Sequence, residues 1–176
     1  MDNMKNIETK RLILRGFTIE DVEDVYDYAK DEETVRYLTW PVHKDIQATE
    51  KIVKEFYMND NTFAITLKES NKCIGCIDIR IDEKNNKLEF GYVLNKKHWN
   101  KGYMSEVLKE VIRYSFLELN LNRVEATYYA GNIGSRRVME KCGMKKEGIG
   151  IQEVFIKRRY FDVVHMAILK EEYLSE

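Results

Sequence analysis

Apolar and polar positions change rhythm in the middle of the chain. Residues 87–94 predict a strand that carries Leu88-Glu89-Phe90-Gly91-Tyr92-Val93-Leu94. A polar turn and the stretch Trp99-Asn100-Lys101-Gly102-Tyr103-Met104-Ser105-Glu106 follow. From Met104 onward the positions Val107, Leu108, Val111, Ile112, Ser115, Phe116 and Leu119 continue at three- and four-residue steps. That spacing is one face of a long amphipathic helix. Asn120-Leu121-Asn122 ends it, and residues 123–128 form the next strand, so this strand–helix–strand unit reads as a parallel crossover.

Upstream, residues 11–15 are a short strand with Leu12 and Leu14 on one face. Thr18 opens a helix whose first turn holds Glu20 and Asp21, and Val22, Val25, Tyr26 and Ala29 follow at helical spacing. After the Thr39-Trp40-Pro41 loop a second helix covers residues 46–57 and breaks at Asn59-Asp60-Asn61. Strands at 62–68 and 73–81 are joined by short polar connections, which predicts hairpins. Downstream, Asn132 caps a helix with Ser135, Val138, Met139 and Cys142 on one face, stopped by Gly143. Strands at 144–148, 154–156 and 160–169 complete an antiparallel end. The expected fold class is α/β (α+β), a mixed central sheet of six to seven strands with helices on both faces. A chain of 176 residues fits one domain spanning 1–176.

Composition narrows the function. A net charge of −1 gives no basic stripe for nucleic acid, and the interleaved Lys and Asp/Glu residues read as solvated surface. No apolar run approaches the ~20 residues of a membrane helix. Met1-Asp2-Asn3-Met4-Lys5 lacks the apolar core of a leader, so a cytoplasmic location is expected. Nothing in the pattern fixes an oligomeric state; a homodimer is compatible with it. Cys73 and Cys76 are spaced as Cys-x-x-Cys, but Cys142 is alone and His43, His98 and His165 are scattered, so no metal is expected. Strand alternation would send Cys73 and Cys76 to opposite faces.

The strand, the tight glycine-bearing loop and the helix start suit an anion such as a pyrophosphate. The loop has neither the three glycines of a dinucleotide site nor a Gly-Lys-Ser/Thr ending. The segment resembles the phosphate-binding part of the GNAT superfamily (Gcn5-related N-acetyltransferases), and within it the RimJ/RimL branch. The resemblance covers nearly the whole chain. It includes Thr9-Lys10-Arg11-Leu12-Ile13-Leu14-Arg15, the Glu-Phe-Gly-Tyr strand, Trp99 to Glu106, Asn132-Ile133-Gly134-Ser135, Glu140-Lys141-Cys142-Gly143-Met144 and Tyr160-Phe161-Asp162-Val163-Val164.

The resemblance implies acetyl-CoA as acyl donor. It implies that the open strand edge at Val93 and Leu94 binds the pantetheine amides. The backbone N–H groups of Asn100, Lys101, Gly102, Tyr103, Met104 and Ser105 would then hold the pyrophosphate, with Gly102 allowing close approach. The chain departs from the superfamily pattern at three places: Trp99 fills the first slot, Met104 the last, and Asn100 replaces the usual glycine. Loss of that glycine is expected to weaken CoA binding slightly.

The acceptor must be an amine in its neutral form, and an α-amino group, pKa about 7.7–8.0, is already partly neutral at pH 7. Glu89, at the branch's usual glutamate position, is the candidate general base through a water. Many superfamily members place a tyrosine in the last helix; here Met139 stands there, and Ser135 is the candidate donor to the developing oxyanion or the leaving thiolate. Asn132 orients cofactor or substrate, or caps its helix, or both. The groove is bounded by the Trp40 loop, with Trp40 as a lid residue or a core residue, and by the stretch from Gln152 to Arg159. The Lys157-Arg158-Arg159 run reads as a solvated turn.

Glu89 has no visible charged partner in the sequence, and Glu153 is the only acidic residue in the groove-side stretches. The expected acceptor is therefore the N-terminal α-amino group of a protein, with a ribosomal one favoured. The alternatives are a small amine (a polyamine, an amino acid or an aminoglycoside) or a non-catalytic acetyl-CoA-binding regulator.

Overall fold

The computed structural model of the chain describes residues 7–175; the stretch at residues 1–5, read from sequence for a leader, lies outside them. The strands are β1 (Ile7–Glu8), β2 (Leu12–Gly16), β3 (Thr62–Leu67), β4 (Cys73–Asp82), β5 (Lys87–Leu94), β6 (Arg123–Tyr129), β7 (Lys145–Ile156) and β8 (Arg159–Leu169). The helices are α1 (Val22–Ala29), α2 (Ile46–Ile52), α3 (Tyr103–Leu117), α4 (Ile133–Lys141) and α5 (Lys170–Leu174). The strands join in the order β1-β2-β3-β4-β5-β6-β8-β7. β5 and β6 pair parallel; the β1–β2, β2–β3, β3–β4, β6–β8 and β7–β8 pairs are antiparallel. The mixed sheet is as expected, with eight strands among the described residues rather than six or seven. No helix is long and apolar enough to cross a membrane.

The chain divides into two compact units, Met1–Asp78 with Tyr92–Val107, and Ile79–Gly91 with Leu108–Glu176. In the first, Phe17, Val22, Val25, Tyr28, Ala29, Val53, Ala64, Cys73, Cys76 and Val93 form a buried cluster. The entry to α1 is fixed by Asp21, whose carboxylate accepts the Thr18 N–H at 2.9 Å and two bonds from Arg15 at 2.8 and 2.7 Å. The helix expected over 46–57 ends in a π-helical turn at Val53–Tyr57. Asn59 stops it there, since its side-chain oxygen accepts the N–H groups of Asn61 (2.6 Å) and Thr62 (2.9 Å). Trp40 packs against the core cluster, its ring 5.1 Å from that of His43.

The two cysteines correct an expectation. Both lie in this one cluster rather than on opposite faces. The reason is a β-bulge: Ile65 pairs with Gly75 but Thr66 pairs with Cys73, so one extra residue enters β4 and resets its alternation. Cys73, Cys76 and Cys142 are buried and in no disulfide among the described residues.

In the second unit the buried set includes Leu88, Leu108, Val111, Ile112, Phe116, Val124, Met139, Met144, Met166 and Ile168. Ser115 is buried within the α3 stripe because its hydroxyl donates to the Val111 carbonyl at 2.7 Å. The stripe stops at Phe116, and Leu119 lies past the end of the helix. The two strands expected at 144–148 and 154–156 are one strand, β7, interrupted by register breaks at Lys146/Gly148 and Gly150/Val154. A two-residue turn links it to β8, with Lys157 and Arg158 both left-handed at φ 49° and 64°.

Candidate active site

The first unit carries the loop that leads into α3. Asn100 (φ 58°) and Gly102 (φ 78°) are both left-handed, two residues apart. Alternation of this kind turns successive N–H groups toward one side and makes a concave anion cradle. The first bond of the helix runs from the Glu106 N–H to the Gly102 carbonyl at 3.0 Å. Ahead of it, the N–H groups of Asn100, Lys101, Gly102, Tyr103 and Met104 meet no acceptor among the described residues. Asn100 keeps a left-handed backbone where the superfamily pattern has glycine. Asparagine enters the left-handed region more readily than other side chains, so the backbone keeps the shape a glycine would give.

Both ends of this loop are pinned. Upstream, Asp27 accepts bonds from the Asn95 side chain (3.0 Å) and from Lys97 (2.7 Å), and these hold its carboxyl below the usual range. The His98 and Tyr103 rings lie 6.0 Å apart. Downstream, Glu106 in the first turn of α3 accepts the Thr9 hydroxyl (2.6 Å), the Arg11 N–H (2.7 Å) and the Arg11 guanidinium (2.7 Å). Arg11 also donates to the Lys101 carbonyl at 3.0 Å and stacks over the Tyr103 ring at 4.3 Å.

Val93 and Leu94 close β5. The parallel ladder to β6 runs only from Lys87↔Arg123 to Glu89↔Glu125, so both residues lie beyond it. The Leu94 carbonyl accepts the Trp99 indole N–H at 2.7 Å. The Val93 carbonyl abuts Gly75 so closely that a Cβ there would sit 2.3 Å from its oxygen. Only glycine permits that approach.

The second unit holds a cleft of about 380 Å³. Its lining includes Glu89, Glu125, Glu147, Glu153, Arg123 and His165. Glu89 stands at the last rung of the parallel ladder and pairs with Arg80 at 3.2 Å, so the unpartnered carboxylate expected from sequence is corrected. Glu125 and Glu147 share Arg123, and Glu125 also accepts Lys87 at 2.5 Å. Burial works to raise the Glu125 carboxyl, but those cations hold it below the usual range. Glu153 meets His165 at 2.9 Å. Four of the lining residues are carboxylates, whereas the groove-side stretches marked from sequence contribute only Glu153. The missed members come from β6 and β7, outside the stretches that sequence marked as groove.

The structure also brings Asn132 and Ser135 together. The Asn132 side chain accepts the Ser135 N–H at 3.2 Å and caps α4. Ser135 is half-buried, and its hydroxyl meets no hydrogen-bond partner among the described residues. Lys157 and Arg158 sit at the tip of the β7–β8 turn, and Arg159 stacks over Phe161 at 4.2 Å. Sequence reasoning missed the roles of Arg11 and Glu106. Their signal is the opening Thr9–Arg15 motif.

Known proteins resemble this chain along its length. The family model described as acetyltransferase (GNAT) domain matches residues 11–145. An uncharacterized N-acetyltransferase, p20, of Bacillus licheniformis is 33% identical over 97% of this chain and 99% of its own length. The spermidine N(1)-acetyltransferase of Vibrio cholerae is 25% identical over 94% of this chain and 96% of its own. The crystal structure of a GNAT-family acetyltransferase from Bacillus anthracis superposes with a TM-score of 0.87 at 32% identity, covering 94% of this chain and 99% of that one.

Proposed function

The chain belongs to the GNAT family of acetyltransferases, and from that premise we propose that it is an acetyl-CoA-dependent N-acetyltransferase of RimJ/RimL type, acting on a primary amine. The carrying observation is the row of N–H groups from Asn100 to Met104 with no well-formed acceptor among the described residues, set by two left-handed residues at the start of a fifteen-residue helix. They fit a pyrophosphate in number, direction and dipole sign. Acetyl-CoA supplies the activated acetyl thioester when bound. Val93 and Leu94 offer strand edge to its pantetheine arm. Glu89 accepts the proton of the amine, through water. Ser135 donates its free hydroxyl to the oxygen or sulfur that gains charge. Three cysteines in no disulfide suit a reducing compartment, in keeping with a cytoplasmic enzyme.

The acceptor has two readings. The first is the N-terminal α-amino group of a protein, a ribosomal one preferred, since its low pKa needs only a mild base. The second is a small cationic amine such as a polyamine. The acidic lining of the Glu89 cleft favours it, and the V. cholerae relative is a spermidine N(1)-acetyltransferase. Calorimetry with acetyl-CoA, then thiol release across free-N-terminus peptides, N-blocked lysine peptides and spermidine, tests both. Peptides beating spermidine in kcat/KM supports the first reading, and the reverse order supports the second. Thiol release that depends on no acceptor would remove the N-acetyltransferase proposal and leave an acetyl-CoA-binding regulator.

A further inference from the structure

We propose that Arg11 is a positioning residue that locks the Lys101–Gly102 peptide with its N–H turned toward the pyrophosphate. The inference rests on the acetyl-CoA reading above and deepens it. Arg11 lies outside the loop, just before β2, yet its side chain reaches there. Its Nε binds Glu106 at 2.7 Å, and its Nη1 binds the Lys101 carbonyl at 3.0 Å. Its Nη2 lies 3.5 Å from where a Cβ on Gly102 would stand. Its Cζ sits 4.3 Å from the centre of the Tyr103 ring.

A trans peptide carries its C=O and N–H on opposite sides of one plane. Holding the Lys101 carbonyl against Arg11 therefore turns the Gly102 N–H away from Arg11. Gly102 is left-handed at φ 78°, and glycine crosses between backbone regions at little cost. Without an external tie this peptide has no side-chain reason to keep one orientation. Arg11 supplies the tie, and Glu106 aims Arg11. Thr9 and the Arg11 backbone N–H fix Glu106 in turn, at 2.6 and 2.7 Å. Arg11 also neutralises the Glu106 carboxylate, an anion in the helix turn where another anion is to bind.

Acetyl-CoA and S-acetylpantetheine carry the same thioester, and only the first carries the pyrophosphate. Arg11→Ala is expected to raise Kd and KM for acetyl-CoA about tenfold, ~1.4 kcal/mol. It should leave kcat within about threefold and leave kcat/KM for S-acetylpantetheine unchanged. Arg11→Lys keeps the charge but cannot bridge the Glu106 carboxylate and the Lys101 carbonyl together, so it should behave as Arg11→Ala. Glu106→Gln, which loses the aim but keeps the shape, should shift KM in the same direction and serves if Arg11→Ala does not fold. An equal loss with both donors, an unchanged Kd, or full rescue by lysine would overturn the lock. Failure of the wild-type protein to bind acetyl-CoA would instead overturn the function on which the lock rests.

Discussion

Single residues carry the chemistry. Ser135 is placed by an N-cap rather than by a catalytic motif, and its hydroxyl meets no partner among the described residues. Ser135→Ala should lower kcat by about 10- to 10³-fold, the scale of one lost transition-state donor, with KM for acetyl-CoA nearly unchanged. Steady-state kinetics showing wild-type kcat would take Ser135 out of the mechanism. The buried thiols make a different statement. Burial pushes the Cys76 thiol from 9.0 up to about 12. The native state then keeps a proton that the unfolded chain releases, so stability is full below pH about 9 and falls as pH rises from there toward 12. The slope is at most ~1.4 kcal/mol per pH unit for one thiol. Urea melts from neutral pH to about pH 10 should show that decline, and Cys76→Ala should flatten it. An identical slope in the variant would assign the alkaline loss elsewhere.

Elements show what periodicity can and cannot reveal. The α3 stripe was legible because seven positions repeat one spacing, and Val107, Leu108, Val111 and Phe116 are fully buried. The bulge in β4 was not legible. Nothing in Cys73-Ile74-Gly75-Cys76 marks an extra residue except Gly75, whose reason is the Val93 carbonyl from a strand distant in sequence. β7 reads as two strands because its two register breaks scatter the alternation of a mostly exposed strand. Its turn to β8 is built against preference. Two central residues at positive φ call for Asn-Gly, and Lys157 and Arg158 occupy them. The double substitution Lys157→Asn with Arg158→Gly should stabilise the protein by about 1 kcal/mol, a Tm rise of roughly 2–4 °C. A thermal melt with no rise would mean that these side chains stabilise the turn by contacts that offset the strain.

At the scale of the whole molecule, charge is distributed more sharply than its sum suggests. The net charge is −1, yet the cleft sets four carboxylates against Arg123 and His165. Sequence showed the order of elements and the loop but not this lining, because Glu89, Glu125, Glu147 and Glu153 lie on three strands, β5, β6 and β7, that only strand pairing gathers. A cationic acceptor drawn by that lining should show a KM that rises several-fold between about 0.05 and 0.5 M salt, as ions screen the attraction. A KM insensitive to salt for spermidine would mean that Arg80, Lys87 and Arg123 already cancel the field.

The bond between the Trp99 indole and the Leu94 carbonyl makes the protein its own optical probe. The chain has two tryptophans, and the other, Trp40, is packed beside His43 in the first unit's core. In a Trp40→Phe variant all indole emission comes from a ring bound to the end of β5 and adjacent in sequence to the anion cradle. Titrating CoA into that variant should shift the emission maximum or intensity with a single saturating curve. Pantetheine, which lacks the nucleotide, should give a weaker curve, so occupancy of the loop becomes readable without any chemistry taking place.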